Sequence, residues 1–357
     1  MSRADRLAER VAERGLDAVL VTDLVNLRYL TGFTGTNGLA LVGRDGLRRF
    51  VTDFRYVGRA ESEVAGPWER ITGERDLLGD VRAALPGGPV TLGFDDAGVS
   101  VQTHAKLAAA LGEDVALVPA AGLVEAGRMV KDEAELEAIA AAARLADDAL
   151  RTTLEAGIAG QTERDVAFEL ETEMRRRGAE PSFPSIVAAG VHGDQPHAEP
   201  GDSPIARDVL VTIDWGARVG GYCSDCTRTF ATGSEVAADA LAVYALVQRA
   251  QAVALEAIHA GVTGREADQA ARALIEDAGH GEHFGHGLGH GVGLEVHEEP
   301  RLSKAGETPL AAGHVVTVEP GVYVPGRHGV RIEDLVVVTA DGTRILSSLS
   351  KDLTVVA

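Results

Sequence analysis

The chain has 357 residues, 45% of them hydrophobic, with 42 glycines, which is length and apolar content enough for two soluble domains with their own cores. Phosphate backbones and anionic lipid are recognised through clustered positive charge, so a formal net charge of -20 excludes nucleic acid and a membrane surface as partners. From the N-terminus, residues 3–13 have helical spacing and DAVLVTD (17–23) is a buried strand. LALVG (39–43) and RRFVTD (48–53) are strands around a tight turn. Helices are predicted over 56–65 and 77–85. VTLGFD (90–95), a helix over 101–111 and VALVPA (115–120) complete an α/β domain assigned to residues 1–125.

The second domain, 126–357, opens with long helices. Asp132 with Glu135, Thr162 with Asp165, and Thr263 with Glu266 each have the spacing of a capping box, and Gly157, Gly178 and Gly279 supply the stops. A further helix is predicted over 237–260. Between the helices lie the strand-like runs DVLVTIDWGA, YCSDCTRTF, HVVTVEPGVYV and GVRIEDLVVV. Strands and helices without strict alternation predict an α+β domain around an antiparallel sheet. The opening MSRADRLAERVAERGL has no apolar core for a secretory leader, and no run approaches the ~18 apolar residues of a membrane span. Cys223 and Cys226 are one CxxC pair where a metal ribbon needs two, so they are expected to be reduced structural thiols in a cytoplasmic chain.

Carboxylates inside apolar strands carry the chemical signal. The Gly220-Gly221 region makes a hairpin of the first two strand runs. With the turn centred between Val219 and Gly220, Asp214 sits opposite Asp225 on one face, about 5 Å away at Cβ. A second hairpin turning at Gly326 sets Glu319 opposite Glu333. Like charges so placed repel, and burying several carboxylates without a cation costs about several kcal/mol each. Between the hairpins runs HFGHGLGHGVGLEVHEEP. His286 and His290 have the spacing of a zincin helix, but four interleaved glycines disfavour helix and the zincin glutamate is missing. A regular strand would put His290 and His297 on opposite faces, so a turn or bulge must intervene if both serve one site. Four carboxylates and an imidazole suit two hard-to-borderline divalent cations, manganese or cobalt before a thiolate-seeking metal, and such a pair suits hydrolysis.

These pieces, TIDWGA with SDCTRTF, HGLGHGVGLEVHEEP, TVEPGVY and VRIED, in this order, resemble the creatinase and methionine-aminopeptidase superfamily, in particular its proline-specific branch of aminopeptidase P and prolidase. DAVLVTDLVNLRYLTGFTG and FVTDFRY are similar to the creatinase-type N-terminal domain of that branch. The resemblance implies a pita-bread catalytic domain behind a smaller α/β domain, a homodimer, and two divalent ions, manganese foremost with cobalt or zinc as alternatives. It implies metal ligands at Asp214, Asp225, His290, Glu319 and Glu333, with Asp225 and Glu333 bridging and Glu319 also the general base. His297 would stabilise the tetrahedral intermediate, His197 would lie over the substrate, His286 would line the proline side, and Arg331 would steady the ligands. His192 and His283 are expected to be bystanders. Phe183 and Tyr323 are assigned to the proline pocket from position alone.

The implied substrate is a short peptide with proline second from its N-terminus. Xaa-Pro aminopeptidase is placed slightly ahead of a strict Xaa-Pro dipeptidase, which would hold the free carboxylate of its substrate with an arginine such as Arg301. Methionine aminopeptidase is disfavoured, because that branch generally lacks the extra N-terminal domain and a counterpart of His286. A non-catalytic binder or metal-free amidinohydrolase is disfavoured, because this sequence keeps all five ligand positions.

Overall fold

In the computed structural model, which describes residues 1–356, the chain divides into one unit over Met1–Arg128 and a second from Met129 on. The first is a six-stranded mixed sheet of β1 (Ala18–Val21), β2 (Gly38–Gly43), β3 (Arg48–Asp53), β4 (Glu69–Gly73), β5 (Val90–Phe94) and β6 (Val115–Pro119), in the order β4-β3-β2-β1-β5-β6. β1 to β3 run antiparallel to one another, and each outer pairing is parallel. Leu20, Leu41, Val51 and Leu92 from the sheet meet Leu107 and Leu111 of the helix Val101–Leu111 in one core.

Three elements of this unit differ from expectation. Leu24–Thr31 is a helix, capped by Asp23 and closed by Gly32 in the left-handed conformation. β4 is an edge strand of alternating polar residues whose burial pattern gives no apolar period to read. The helix expected over 77–85 shrinks to a 3-10 turn, Leu77–Asp80, with Gly79 inside it.

The second unit is α+β. Its helices Glu133–Glu155, Glu163–Arg176 and Gly264–Asp277 each begin with a completed capping box, and Ala238–Ala257 is the fourth. Trp215, Ile213 and Val211 from one part of the sheet pack against Leu150, Val166 and Leu170 of the first two helices. Val316, Val318 and Val336 pack against Val247, Ala250 and Ala271 of the other two. Among the described residues no helix is long and apolar enough to cross a membrane.

The two hairpins differ from expectation in an instructive way. The second has the expected register: Val318 pairs with Asp334 and Gly321 with Arg331. The first is displaced by two residues. Gly220 and Gly221, with φ of 58° and 92°, are both turn residues, Val219 pairs with Tyr222, and Asp214 faces Thr227 rather than Asp225. A two-residue displacement leaves every side chain on the face it had, because the strand period is two.

Candidate metal centre

Three of the four strand runs carrying a carboxylate break where that carboxylate sits. Tyr222–Cys223 and Cys226–Ala231 are interrupted at Asp225, Val315–Val318 and Gly321–Val324 at Glu319, and His328–Arg331 and Asp334–Val338 at Glu333. Local loss of pairing re-aims a side chain out of the alternating pattern. Asp214 projects from the intact strand Leu210–Trp215. The result is that Asp214, Asp225 and Glu333 each offer an oxygen within 4.8 Å of the others.

His290 closes the group from Gly289–Gly291. Its Nε2 lies 3.6 Å from Asp225 Oδ2 and 3.4 Å from Glu319 Oε1, while Nδ1 is 3.0 Å from the Gly291 carbonyl. With Nδ1–H donating to that carbonyl, the Nε2 lone pair points at the carboxylates, which is the tautomer a metal ligand needs. Burial lowers the His290 pKa to about 3, so the ring is neutral. The strand runs close to its neighbours: a Cβ on Gly289 would lie 2.1 Å from the Thr317 carbonyl oxygen. A register shift follows His290, the chain turns back, and the His290 and His297 rings come to 4.4 Å between centroids. The intervening bulge is thus present, and no helix carries His286 and His290.

Carboxylates buried this close together need protons or a cation among them. Asp225 and Glu333 are 6% and 1% exposed. Burial first, then neighbouring charge (Glu333, Asp214 and Glu319 on Asp225; Glu319 and Asp214 on Glu333), raises both carboxyls well above the usual range. Burial pushes Glu319 up to about 7, with Arg331 opposing. Asp214 Oδ1 and Glu333 Oε1 are buried and accept no hydrogen bond among the described residues. Orphaned oxygens beside an uncharged imidazole fit divalent cations, and the oxygen-rich donor set favours hard-to-borderline ions.

A polar frame holds the cage. Arg331 donates from Nη2 to Asp214 Oδ2 at 2.7 Å, from Nε to Thr227 Oγ1 at 3.0 Å, and from Nη1 to Tyr323 Oη at 2.8 Å and the Pro196 carbonyl at 3.1 Å. Thr227 donates to Glu333 Oε2 at 2.6 Å, and Thr317 to Glu319 Oε1 at 3.2 Å. His286 has Nδ1 2.8 Å from the Gly287 carbonyl and Nε2 3.0 Å from Tyr323 Oη. Burial lowers His286 to about 4 and raises Tyr323 to about 12, so both are neutral. Sequence reasoning missed Thr227 and Thr317, since a threonine in a strand reads as ordinary β-propensity.

A cavity of about 400 Å³ opens onto the cage. Its wall includes Asp214, Asp225, His290, Glu319, Glu333, His197, His286, His297, Arg331, Arg301, Phe183 and Tyr323, together with Ile186, Pro196, Val296 and Ser303, which the sequence did not single out. His192 and His283 are not part of that wall. Cys223 and Cys226 are buried free thiols outside it.

Residues 137–340 match the model of metallopeptidase family M24, and residues 3–130 match the creatinase/prolidase N-terminal domain. The chain is 34% identical over 362 residues to a Xaa-Pro dipeptidase of Pyrococcus horikoshii, covering 98% of each. Among solved structures it is similar to a Xaa-Pro dipeptidase from Bacillus anthracis, with a TM-score of 0.94, 37% identity and 99% of each chain covered. It is also similar to an X-Pro aminopeptidase from Thermotoga maritima, with a TM-score of 0.89, 36% identity and 100% of each chain covered.

Proposed function

Because this chain belongs to metallopeptidase family M24, we propose that it is a Xaa-Pro dipeptidase, hydrolysing the bond between a first residue and a C-terminal proline. The observation that carries the peptidase chemistry is the cavity floored by buried, partly orphaned carboxylates and the neutral His290. The dipeptidase choice, taken over the aminopeptidase that the sequence slightly favoured, is supported by the relatives named Xaa-Pro dipeptidase. It is supported also by Arg301, a half-exposed cation on the cavity wall that suits a free substrate carboxylate.

Asp214, Asp225, His290, Glu319 and Glu333 would hold two divalent cations, with manganese the first candidate and cobalt or zinc the others. Bound there, the cations would supply an acidified water and a Lewis acid for the scissile carbonyl. Glu319 takes the proton released as water attacks the carbonyl carbon. His297, on the cavity wall and with its pKa lowered by partial burial and then by Arg301, donates to the oxyanion. His197 lies over the substrate and relays the proton taken up by Glu319 to the prolyl nitrogen as the C–N bond breaks. Phe183, Tyr323 and His286 enclose the proline ring, and Arg331 keeps Asp214 aimed at the cage.

The test is hydrolysis of a Xaa-Pro dipeptide and a Xaa-Pro tripeptide by purified protein, with manganese and with chelator, alongside metal analysis. Metal-dependent cleavage of the dipeptide alone is expected. Comparable kcat/KM on the tripeptide would restore the aminopeptidase, and no cleavage of either with any divalent ion would end the prolyl-peptidase assignment.

A further inference from the structure

His197 is carried by the segment between Ala189 and Gly201, which is packed at Gly193 and Ala198. Residues 189–201 leave the strand Ile186–Ala189, make one 3-10 turn over Gly190–Asp194 and rejoin the body at Gly201. A cavity of about 550 Å³ runs along the base of this segment, lined by Ala189, Val191, His192, Gly201, Pro204 and Glu163 among others. The His197 ring is exposed and makes no hydrogen bond among the described residues, so its place is set by its backbone.

One buried carboxylate grips that backbone at both ends. Glu163, 4% exposed, is the first residue of the helix Glu163–Arg176. Its Oε1 accepts from the Ala189 N–H at 2.7 Å, and its Oε2 accepts from the Gly201 N–H at 2.9 Å. Oε2 also meets His192 Nδ1 at 2.7 Å, so a residue expected to be a bystander joins the clasp. The positive end of the helix favours the carboxylate where it sits. Further along, Asp194 Oδ2 accepts from the Gly326 N–H at 2.6 Å, and the Pro196 carbonyl accepts from Arg331. Glu163 itself forms no part of the catalytic cavity wall.

We propose that Glu163 is a positioning residue: by closing residues 189–201 at both ends it fixes His197 over the scissile bond, and it affects turnover only through His197. The kinetic consequence rests on the peptidase assignment above; the clasp does not. In Glu163→Gln one acceptor oxygen becomes an amide that faces an N–H donor, which opens one end of the segment without changing side-chain size.

The experiment compares wild type, Glu163→Gln, His197→Ala and the double variant, as manganese-loaded full chains, for kcat and KM on Leu-Pro, for manganese affinity, and for hydrogen exchange of the Ala189 and Gly201 amides. Misplacing a catalytic group by about 1 Å costs roughly 10- to 100-fold. A loss of that size in kcat is expected for Glu163→Gln, with KM and manganese affinity little changed and no further loss in the His197→Ala background. An equal loss in both backgrounds, or wild-type turnover in Glu163→Gln, overturns the inference. Glu163→Asp, whose shorter side chain cannot span both amides, serves if Glu163→Gln does not fold. It is expected to lower kcat in the wild-type background and not in His197→Ala, and a loss in both overturns the inference. If wild type cleaves no prolyl peptide, only the peptidase assignment falls. Exchange then decides: rapid exchange at Ala189 and Gly201 in Glu163→Gln, or in Glu163→Asp if it is the variant that folds, supports the clasp, and retained protection overturns it.

Discussion

Asp225 shows what single residues do in this centre. It is buried among three other carboxylates, and the cation that opposes their repulsion, Arg331, is committed to Asp214. Replacing it with alanine removes repulsion as well as a proposed ligand. Asp225→Ala is therefore expected to unfold at no lower temperature than wild type without metal, yet to lose both the manganese-induced rise in Tm and peptidase activity. Thermal denaturation with and without manganese, beside an activity assay, checks this, and near-normal turnover would remove Asp225 from the ligand set. Arg301 tests the other end of the substrate. A hydrogen bond to a charged group contributes about 1.5–3 kcal/mol, so Arg301→Met is expected to raise KM for a Xaa-Pro dipeptide roughly 10- to 100-fold with kcat largely kept. Steady-state kinetics on the same dipeptide decide it; an unchanged KM would take the carboxylate away from Arg301.

Among the elements, the glycine-rich strand Gly289–Gly291 is the most constrained, because it runs between Glu298–Leu302 on one side and Val315–Val318 on the other with no room for side chains at its glycines. A Cβ on Gly291 would lie 2.3 Å from the Glu299 carbonyl oxygen, nearly as close as the one on Gly289 would be to Thr317. Forcing atoms into such a gap costs about 1–3 kcal/mol, and here the displaced strand carries His290. Gly289→Ala is expected to lower stability by that amount in denaturant unfolding and to weaken manganese binding in a titration. Unchanged metal affinity would mean that the ligand geometry tolerates a shift of the strand. Carboxylates at breaks in the hairpins and imidazoles on a strand without side-chain bulk are two solutions to one problem, which is to aim ligands inward from backbone that must also pair.

For the whole molecule, the cage couples folding to pH and to metal. A carboxyl whose proton is held more tightly in the folded chain than in the unfolded one adds stability that is complete below its unfolded value. That stability is lost as pH rises through the folded value. For Glu319 the loss runs from 4.5 to about 7, and Asp225 and Glu333 shift in the same direction. Divalent cations neutralise the ionised cage and displace its protons, so manganese is expected to raise Tm more at pH 8 than at pH 5.5. Thermal denaturation at the two values, with and without manganese, gives the comparison; an equal shift at both would mean that the buried carboxyls are ionised throughout.

Much of this protein could be read directly from its residues. Capping boxes at Asp132, Thr162 and Thr263 mark helix starts through local hydrogen bonds that depend on neighbours three apart. Acidic residues within apolar strand runs signal a cation, because buried charge has few other remedies. The register of the hairpin that carries Glu319 and Glu333 is legible for the same local reason, a turn about Gly326. The two-residue displacement of the Asp214 hairpin is not, since every side chain keeps its face in either register and only the ladder tells them apart. Tertiary structure alone brought Arg331 from one hairpin to Asp214 on another, and Glu163 from a helix start to both ends of the segment bearing His197. Hydrogen bonds between residues so far apart leave no periodic trace in the chain, because their geometry exists only once the intervening elements have packed.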